Sequence, residues 1–291
     1  MQSAFEIGAV FRYNELDDIV NGKQMKTRIF QVDAFTDKPF TGNPAAVCLL
    51  ENPQPDSWMQ DIAMEMNLSE TAFLLKIKKG FSLRWFTPKT EVSLCGHATL
   101  ASAHILWEEG ILRLEEEAIF LTKSGKLVAR NKNNGIEMDF PSMSVEDADA
   151  PRSLIGALKI KPSYIGRYVL SSGASYLIEV ESEDIVNNMD PDFGKLRFED
   201  AKAIIVTSMS ESSDYDFISR FFAPALGIDE DPVTGAAHCC LAPYWAHRLQ
   251  KSELVGYQAS ERCGVVHCRV SGNRVFLRGK AITVFRGELN I

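Results

Sequence analysis

Trp85-Phe86-Thr87-Pro88 leads into Glu91-Val92-Ser93-Leu94-Cys95-Gly96-His97-Ala98-Thr99, and Phe221-Phe222-Ala223-Pro224 leads into Glu230-Asp231-Pro232-Val233-Thr234-Gly235-Ala236-Ala237-His238. Each stretch reads as an apolar strand, a proline turn, an acidic residue, a glycine opening a helix and a histidine within four positions of that glycine. Gly96 and Gly235 lie 139 residues apart, about half of the 291-residue chain. A repeat of this kind reads as a duplication. The expected fold is α+β, with two pseudo-symmetric domains. Each is an antiparallel sheet or half-barrel wrapped round a central helix, and both helix N-termini face one interdomain cleft.

Working outward, residues 25–142 form the first expected domain and 153–291 the second, joined by a linker at 143–152 rich in Ser, Glu, Asp and Pro. The last strand is expected to pair with the first domain. Ile29 to Phe35 and Ala45 to Leu50 read as strands. Met59, Ile62, Ala63 and Met66 recur at helical spacing, with Asp56 or Ser57 as the cap. Ala98, Ala101, Ser102, Ile105 and Leu106 give a small-residue helix buried nearly all round. Strands near Tyr168 to Leu170, Ser175 to Val180, Ala203 to Thr207, Gly264 to Val270, Val275 to Lys280 and Ala281 to Phe285 make up the second half. Residues 1–24 read as an extension or non-native leader. They carry Glu6, Glu15, Asp17 and Asp18 and no apolar h-region, so they are no signal peptide.

Composition sets the bounds on chemistry. Lys+Arg 31 against Asp+Glu 39 gives a net charge of −8, which argues against a nucleic-acid partner. No run of 18 apolar residues exists, so no membrane span is expected. Six cysteines form no disulfide framework and read as reduced cytoplasmic thiols. Cys263, His267 and Cys268 lack the further ligands a metal site needs, so no metal is expected.

The two glycine corners carry the candidate chemistry. A helix N-terminus offers unpaired N–H groups and about half a positive charge, which suits a carboxylate. Glycine there lets a ligand approach the backbone. Taken singly, either corner is also a plain tight turn; the pair is what points to a small anionic substrate. His97, in the first turn, is expected to have a depressed pKa and a neutral imidazole. Asp231 would cap N–H groups or bind a substrate amine or hydroxyl. Read alone, Glu70 is a solvated surface glutamate, although a carboxylate flanked by apolar residues can instead be desolvated and shuttle protons.

Five ordered motifs resemble the PhzF-like phenazine-biosynthesis family, within it most of all the animal and bacterial phenazine biosynthesis-like domain proteins. They are Gly42-Asn43-Pro44-Ala45-Ala46-Val47, Glu65-Met66-Asn67-Leu68-Ser69-Glu70-Thr71-Ala72-Phe73, Phe86-Thr87-Pro88, Cys95-Gly96-His97-Ala98-Thr99 and Glu230-Asp231-Pro232-Val233-Thr234-Gly235. The resemblance runs from about Met25 to the C-terminus. It implies the diaminopimelate epimerase fold with the active site between its domains, a cytoplasmic homodimer, and no cofactor. It makes Glu70 the catalytic acid/base and reverses the reading of that residue taken alone. It makes Gly96, His97 and Asp231 substrate contacts and includes the position of Ala236. Asn43 and Gly235 complete the substrate-binding set. His97 can donate a hydrogen bond to substrate or relay a proton, and a working pair of Glu70 with Cys95 or with His97 stays open. The related phenazine enzyme has a serine where this chain has Ala236, which puts the same substrate in doubt. Diaminopimelate epimerase opposes two cysteines. Cys95 fits the first, but no cysteine lies between Asp231 and His238, so a two-thiol racemase is disfavoured. The expected function is a cofactor-independent isomerase or epimerase acting on a small carboxylate. Its rival is a non-catalytic binding protein that keeps the fold.

Overall fold

The parallel and antiparallel pairings of the strands follow one order, and that order occurs twice. A computed structural model describes residues 27–170 and 173–291; the expectation for residues 1–24 lies outside them. The first half contains β1 (Thr27–Ala34), β2 (Asn43–Leu50), α1 (Asp56–Met66), β3 (Glu70–Ile77), β4 (Gly80–Phe86), β5 (Glu91–Val92), α2 (Gly96–Glu108), β6 (Ala118–Thr122), β7 (Gly125–Lys132) and β8 (Gly135–Pro141). After β9 (Glu146–Asp147) and α3 (Arg152–Leu158) come β10 (Tyr164–Leu170), β11 (Gly173–Glu179), α4 (Glu183–Asn188), α5 (Phe193–Leu196), β12 (Ile204–Met209) and β13 (Phe217–Phe222). The chain ends with α6 (Gly235–Leu249), β14 (Glu253–Gln258), β15 (Gly264–Ser271), β16 (Arg274–Gly279) and β17 (Ala281–Leu289).

In the first half β1 pairs antiparallel with β2, β2 parallel with β3, β3 antiparallel with β4, β4 parallel with β6, and β6, β7 and β8 follow antiparallel. Strands β10 to β16 repeat the sequence of pairings: antiparallel, parallel, antiparallel, parallel, antiparallel, antiparallel. The halves join where β8 pairs with β16. They also exchange strands, since β17 pairs with β1 while β9 pairs with β10.

This corrects the expectation of antiparallel sheets, because each half holds two parallel pairs. The reason is connection length. A strand that returns parallel needs a crossover, usually helical, and α1, α2, the α4–α5 segment and α6 each supply one. Three further expectations are corrected. The 143–152 segment is no plain linker, since β9 lies within it. Pro55, not Asp56 or Ser57, holds the N-cap of α1, and Asp56 bonds Arg84 instead. β10 starts at Tyr164, four residues earlier than read from sequence.

Helix packing follows the side-chain patterns. α1 buries only Met59, Ile62 and Ala63, against Ile29, Cys48, Phe73 and Phe86, and ends at Asn67 with φ 48°, a left-handed position Asn tolerates. α2 is buried from His97 to Ala103 and again from Ile105 to Trp107. Its small residues let strands close around it. Leu100, Ile105 and Leu106 of α2 share one apolar cluster with Leu241 and Trp245 of α6 and Leu277 of β16. A fully buried leucine contributes about 1.5–3 kcal/mol, so this shared cluster holds α2 and α6 firmly against their strands.

Candidate active site

Parallel pairing of β2 with β3 sets Ala45 opposite Glu70 and brings Asn43, at the start of β2, near the same strand end. The two central helices then arrive head to head. Gly96 opens α2 behind Cys95, and Gly235 opens α6 behind Thr234. Neither preceding residue makes a side-chain capping bond, and neither first turn carries an acid. A Cβ built on Gly96 would lie 3.8 Å from the Gly235 Cα, and one on Gly235 would lie 3.8 Å from the Gly96 Cα. Two uncapped helix starts thus meet, each with unpaired N–H groups and about half a positive charge.

Three side chains gather beside this junction. His97 Nε2 lies 3.1 Å from Glu70 Oε2, and Cys95 Sγ lies 3.6 Å from His97 Nδ1. The Glu70–His97 approach is one of charge and proximity, because Oε2 is buried without an aligned hydrogen-bond donor. The expected neutral His97 is overturned. Burial opposes its charge, but the interactions with Cys95 and Glu70 outweigh it and hold the imidazole well above its ordinary range. Burial, with the charge of Glu70, pushes the Cys95 thiol up to about 11. Cys95 is therefore a protonated thiol at neutral pH.

On the other side, the Asp231 carboxylate accepts from Asn43 Nδ2 at 2.8 Å and from the Thr234 hydroxyl. Burial drives its pKa up to about 6, against the pull of His97 and of these bonds. Asn43 Nδ2 also donates to the Val233 carbonyl at 2.9 Å, leaving its buried Oδ1 without a partner. Gln258 braces the corner. It accepts from Thr234 N at 2.8 Å and donates to the Asp231 carbonyl at 2.7 Å. Ala236 is exposed while Gly235 beside it is buried, so solvent reaches the second helix start there. Further back, Arg262 bonds the Asp33 carboxylate at 2.7 Å and the Gly42 carbonyl at 2.9 Å, holding the turn that precedes Asn43.

The structure therefore brings together all the residues singled out from sequence: Asn43, Glu70, Cys95, Gly96, His97, Asp231, Gly235 and Ala236. Sequence reasoning missed Thr234 and Gln258. Gln258 occupies the inward-facing place after Leu254 and Gly256 on β14, so strand alternation would have exposed it had that strand been recognised. Ligand-type atoms of Glu70, Cys95 and His97 lie within 4.8 Å of one another. Both His97 and Cys95 would have to lose a proton to bind a metal there.

Comparison with known proteins decides the family. Residues 32–287 match the phenazine biosynthesis-like protein family, PhzC-PhzF. The chain belongs to this family. It is 53% identical over 266 residues to an uncharacterized isomerase of Halalkalibacterium halodurans, covering 91% of this chain and 99% of that protein. It is 39% identical over 294 residues to the phenazine biosynthesis-like domain-containing protein of Homo sapiens, again covering 91% and 99%. The crystal structure of a PhzF family protein from Enterococcus faecalis superimposes with a TM-score of 0.85 at 40% identity, over 91% of this chain and 99% of that one. Among the described residues no helix is long and apolar enough to cross a membrane.

Proposed function

We propose that this protein is a cofactor-independent isomerase or epimerase that moves a proton on a small carboxylate substrate. The observation that carries the reading is the meeting of two uncapped helix starts, Gly96 against Gly235, beside the Glu70–His97 pair. The strand repeats are read as two pseudo-symmetric domains, and the site as the cleft between them. The substrate carboxylate sits on the N–H groups of both helix starts, where negative charge developing on an enolate-like intermediate is stabilised. Glu70 takes a proton from the carbon alpha to a carboxylate and returns it elsewhere. His97 holds the Glu70 carboxylate in place and, with the Cys95 thiol, relays the proton. Asn43 and Asp231 fix the polar substituents of the substrate, and Ala236 lies where it enters. A relative of this length that is called an isomerase supports the reaction class.

The test is solvent-deuterium incorporation into a panel of small amino and aromatic carboxylates, read by mass spectrometry. The wild-type chain should label one of them. Glu70→Gln should abolish labelling while calorimetric binding of that compound persists. Labelling by Glu70→Gln at the wild-type rate would remove Glu70 from the mechanism. Binding without labelling by the wild type would leave a non-catalytic binder.

A further inference from the structure

The duplication extends beyond the glycine corners to a pair of arginines that neither the repeat motif nor the proposed chemistry uses. Arg84 on β4 donates from Nε and Nη2 to the two oxygens of Glu91, at 2.8 and 2.7 Å. Arg220 on β13 does the same to Glu230, at 2.7 and 2.7 Å. Each guanidinium lies 5.1 Å from the ring of the phenylalanine two residues on, Phe86 in one half and Phe222 in the other. Glu91 and Glu230 each stand five residues ahead of the helix-opening glycine. Four residues separate the first clamp from Gly96, and they end in Cys95. Four separate the second from Gly235, and they begin with Asp231.

A surface ion pair would make a small difference to stability and none to a site. These pairs differ in three respects. Both are two-pronged, which fixes orientation as well as distance. Their side chains are mostly buried, at 26% and 13% exposure for Arg84 and Glu91 and 12% and 19% for Arg220 and Glu230. Each arginine also ties its loop to another element. Arg84 Nη1 bonds Asp56 at the start of α1, and Arg220 Nη1 bonds the Met189 carbonyl at 2.9 Å, just past α4.

We propose that Arg84–Glu91 and Arg220–Glu230 are twin positioning devices. The first sets Cys95 and His97 against Glu70, and the second sets Asp231 beside the abutting helix starts. What the positioned groups do rests on the function proposed above; that they are positioned by the clamps does not. The charged and titratable groups facing His97 are Glu70 from β3, Cys95 at the α2 start and Asp231 from the segment before α6. A displaced first corner therefore alters how His97 titrates, and a displaced second corner alters Asp231.

The experiment uses the full ligand-free chain. The imidazole of His97 is followed by nitrogen NMR against pH, and its signal is assigned by its loss in His97→Gln. The Asp231 carboxyl is followed by carbon NMR, and thermal unfolding is measured in parallel. Arg84→Gln should lower the His97 midpoint by about one unit or more. Arg84→Lys should do the same, because one ammonium cannot span both carboxylate oxygens. Arg220→Gln should lower the Asp231 midpoint as its surroundings open to water, and should move His97 less than Arg84→Gln does. Glu91→Gln and Glu230→Gln keep size and one hydrogen bond, and they serve if the arginine variants do not fold. Variants that unfold at lower temperature yet leave both titrations at the wild-type values would overturn the proposal. Because no substrate enters the measurement, its failure is distinct from failure of the isomerase reading.

Discussion

The two helix-opening glycines can be tested against the alternative that they only make tight turns. Neither Gly96 nor Gly235 is among the residues with positive φ, so neither backbone conformation demands glycine. Nor does space demand it. A Cβ on Gly96 would meet only the Gly235 Cα within 4 Å, at 3.8 Å. One on Gly235 would meet Gly96, Leu277 and Phe35, each at 3.8 Å. These are ordinary van der Waals distances. Gly→Ala at a compatible backbone position stabilises by about 0.4–1 kcal/mol, chiefly by restricting the unfolded chain. For a protein of this size that is a rise of about 1–4 °C in Tm. Under the proposed function the same methyl would stand at the junction of the helix starts, where the substrate carboxylate has to reach the N–H groups. Calorimetry on each single variant, with whichever small carboxylate binds the wild type, should show affinity weakened by about tenfold or more, or about 1.4 kcal/mol. Gly96→Ala and Gly235→Ala should thus hold or raise Tm and lose ligand. A fall of several degrees would show that the fold needs the glycines, and unchanged affinity would show that the ligand does not.

Other expectations concern charge. His238 is fully buried, with its pKa pushed down to about 4 by that burial, while burial raises Asp231 to about 6. Between pH 4 and 6.5 the unfolded chain binds the His238 proton and the folded one does not, so this residue makes stability rise with pH. Asp231 holds its proton only when folded over roughly the same window, so it makes stability fall with pH. Each shift is worth about 3 kcal/mol at full extent, and the two offset each other. Urea unfolding across pH 4–7 should therefore show a steeper rise with pH than wild type in Asp231→Asn, and a fall relative to wild type in His238→Gln; parallel curves for all three would contradict the burial argument. His97, with its folded pKa raised, adds stability that is fully present below its unfolded value near 6.5 and is lost as pH climbs through the folded one. Glu70→Gln should shrink that alkaline loss, as measured by unfolding between pH 6 and 9. Arg262→Met leaves the 1%-exposed Asp33 without its cation. Breaking such a pair costs about 3–5 kcal/mol, so the unfolding free energy from denaturant titration should drop well below wild type, and a drop under about 1 kcal/mol would refute the role assigned to Arg262.

The corners were legible in sequence because proline, glycine and an acid leave a mark at fixed offsets whatever surrounds them. α1 and α2 showed themselves through periodicity and small residues. What stayed hidden depends on partners far away in the chain. Phe81 pairs with Phe120 in a parallel contact that no local pattern specifies, so the mixed character of the sheets could not be read. The short α4 and α5 have too few residues for a period to emerge, and β14 is interrupted by Gly256, which packs under Phe217 and His238. His97 was misread for a related reason. A helix end acts through its own backbone, but the Glu70 carboxylate comes from another strand and shows only in three dimensions.

The exchange of β9 and β17 bears on how such a molecule could arise and how it can be divided. Each half sends its final strand to the first strand of the other, so neither half is covalently self-sufficient. A gene encoding one half alone would make a product that completes its sheet only by trading termini with a second copy. Fusing two such copies would yield the present order of strands without any new pairing. For the same reason a cut between β9 and α3 would separate the peptide bond but not the architecture. The two pieces would remain threaded into one another, and the meeting of Gly96 with Gly235 would survive the loss of the covalent link.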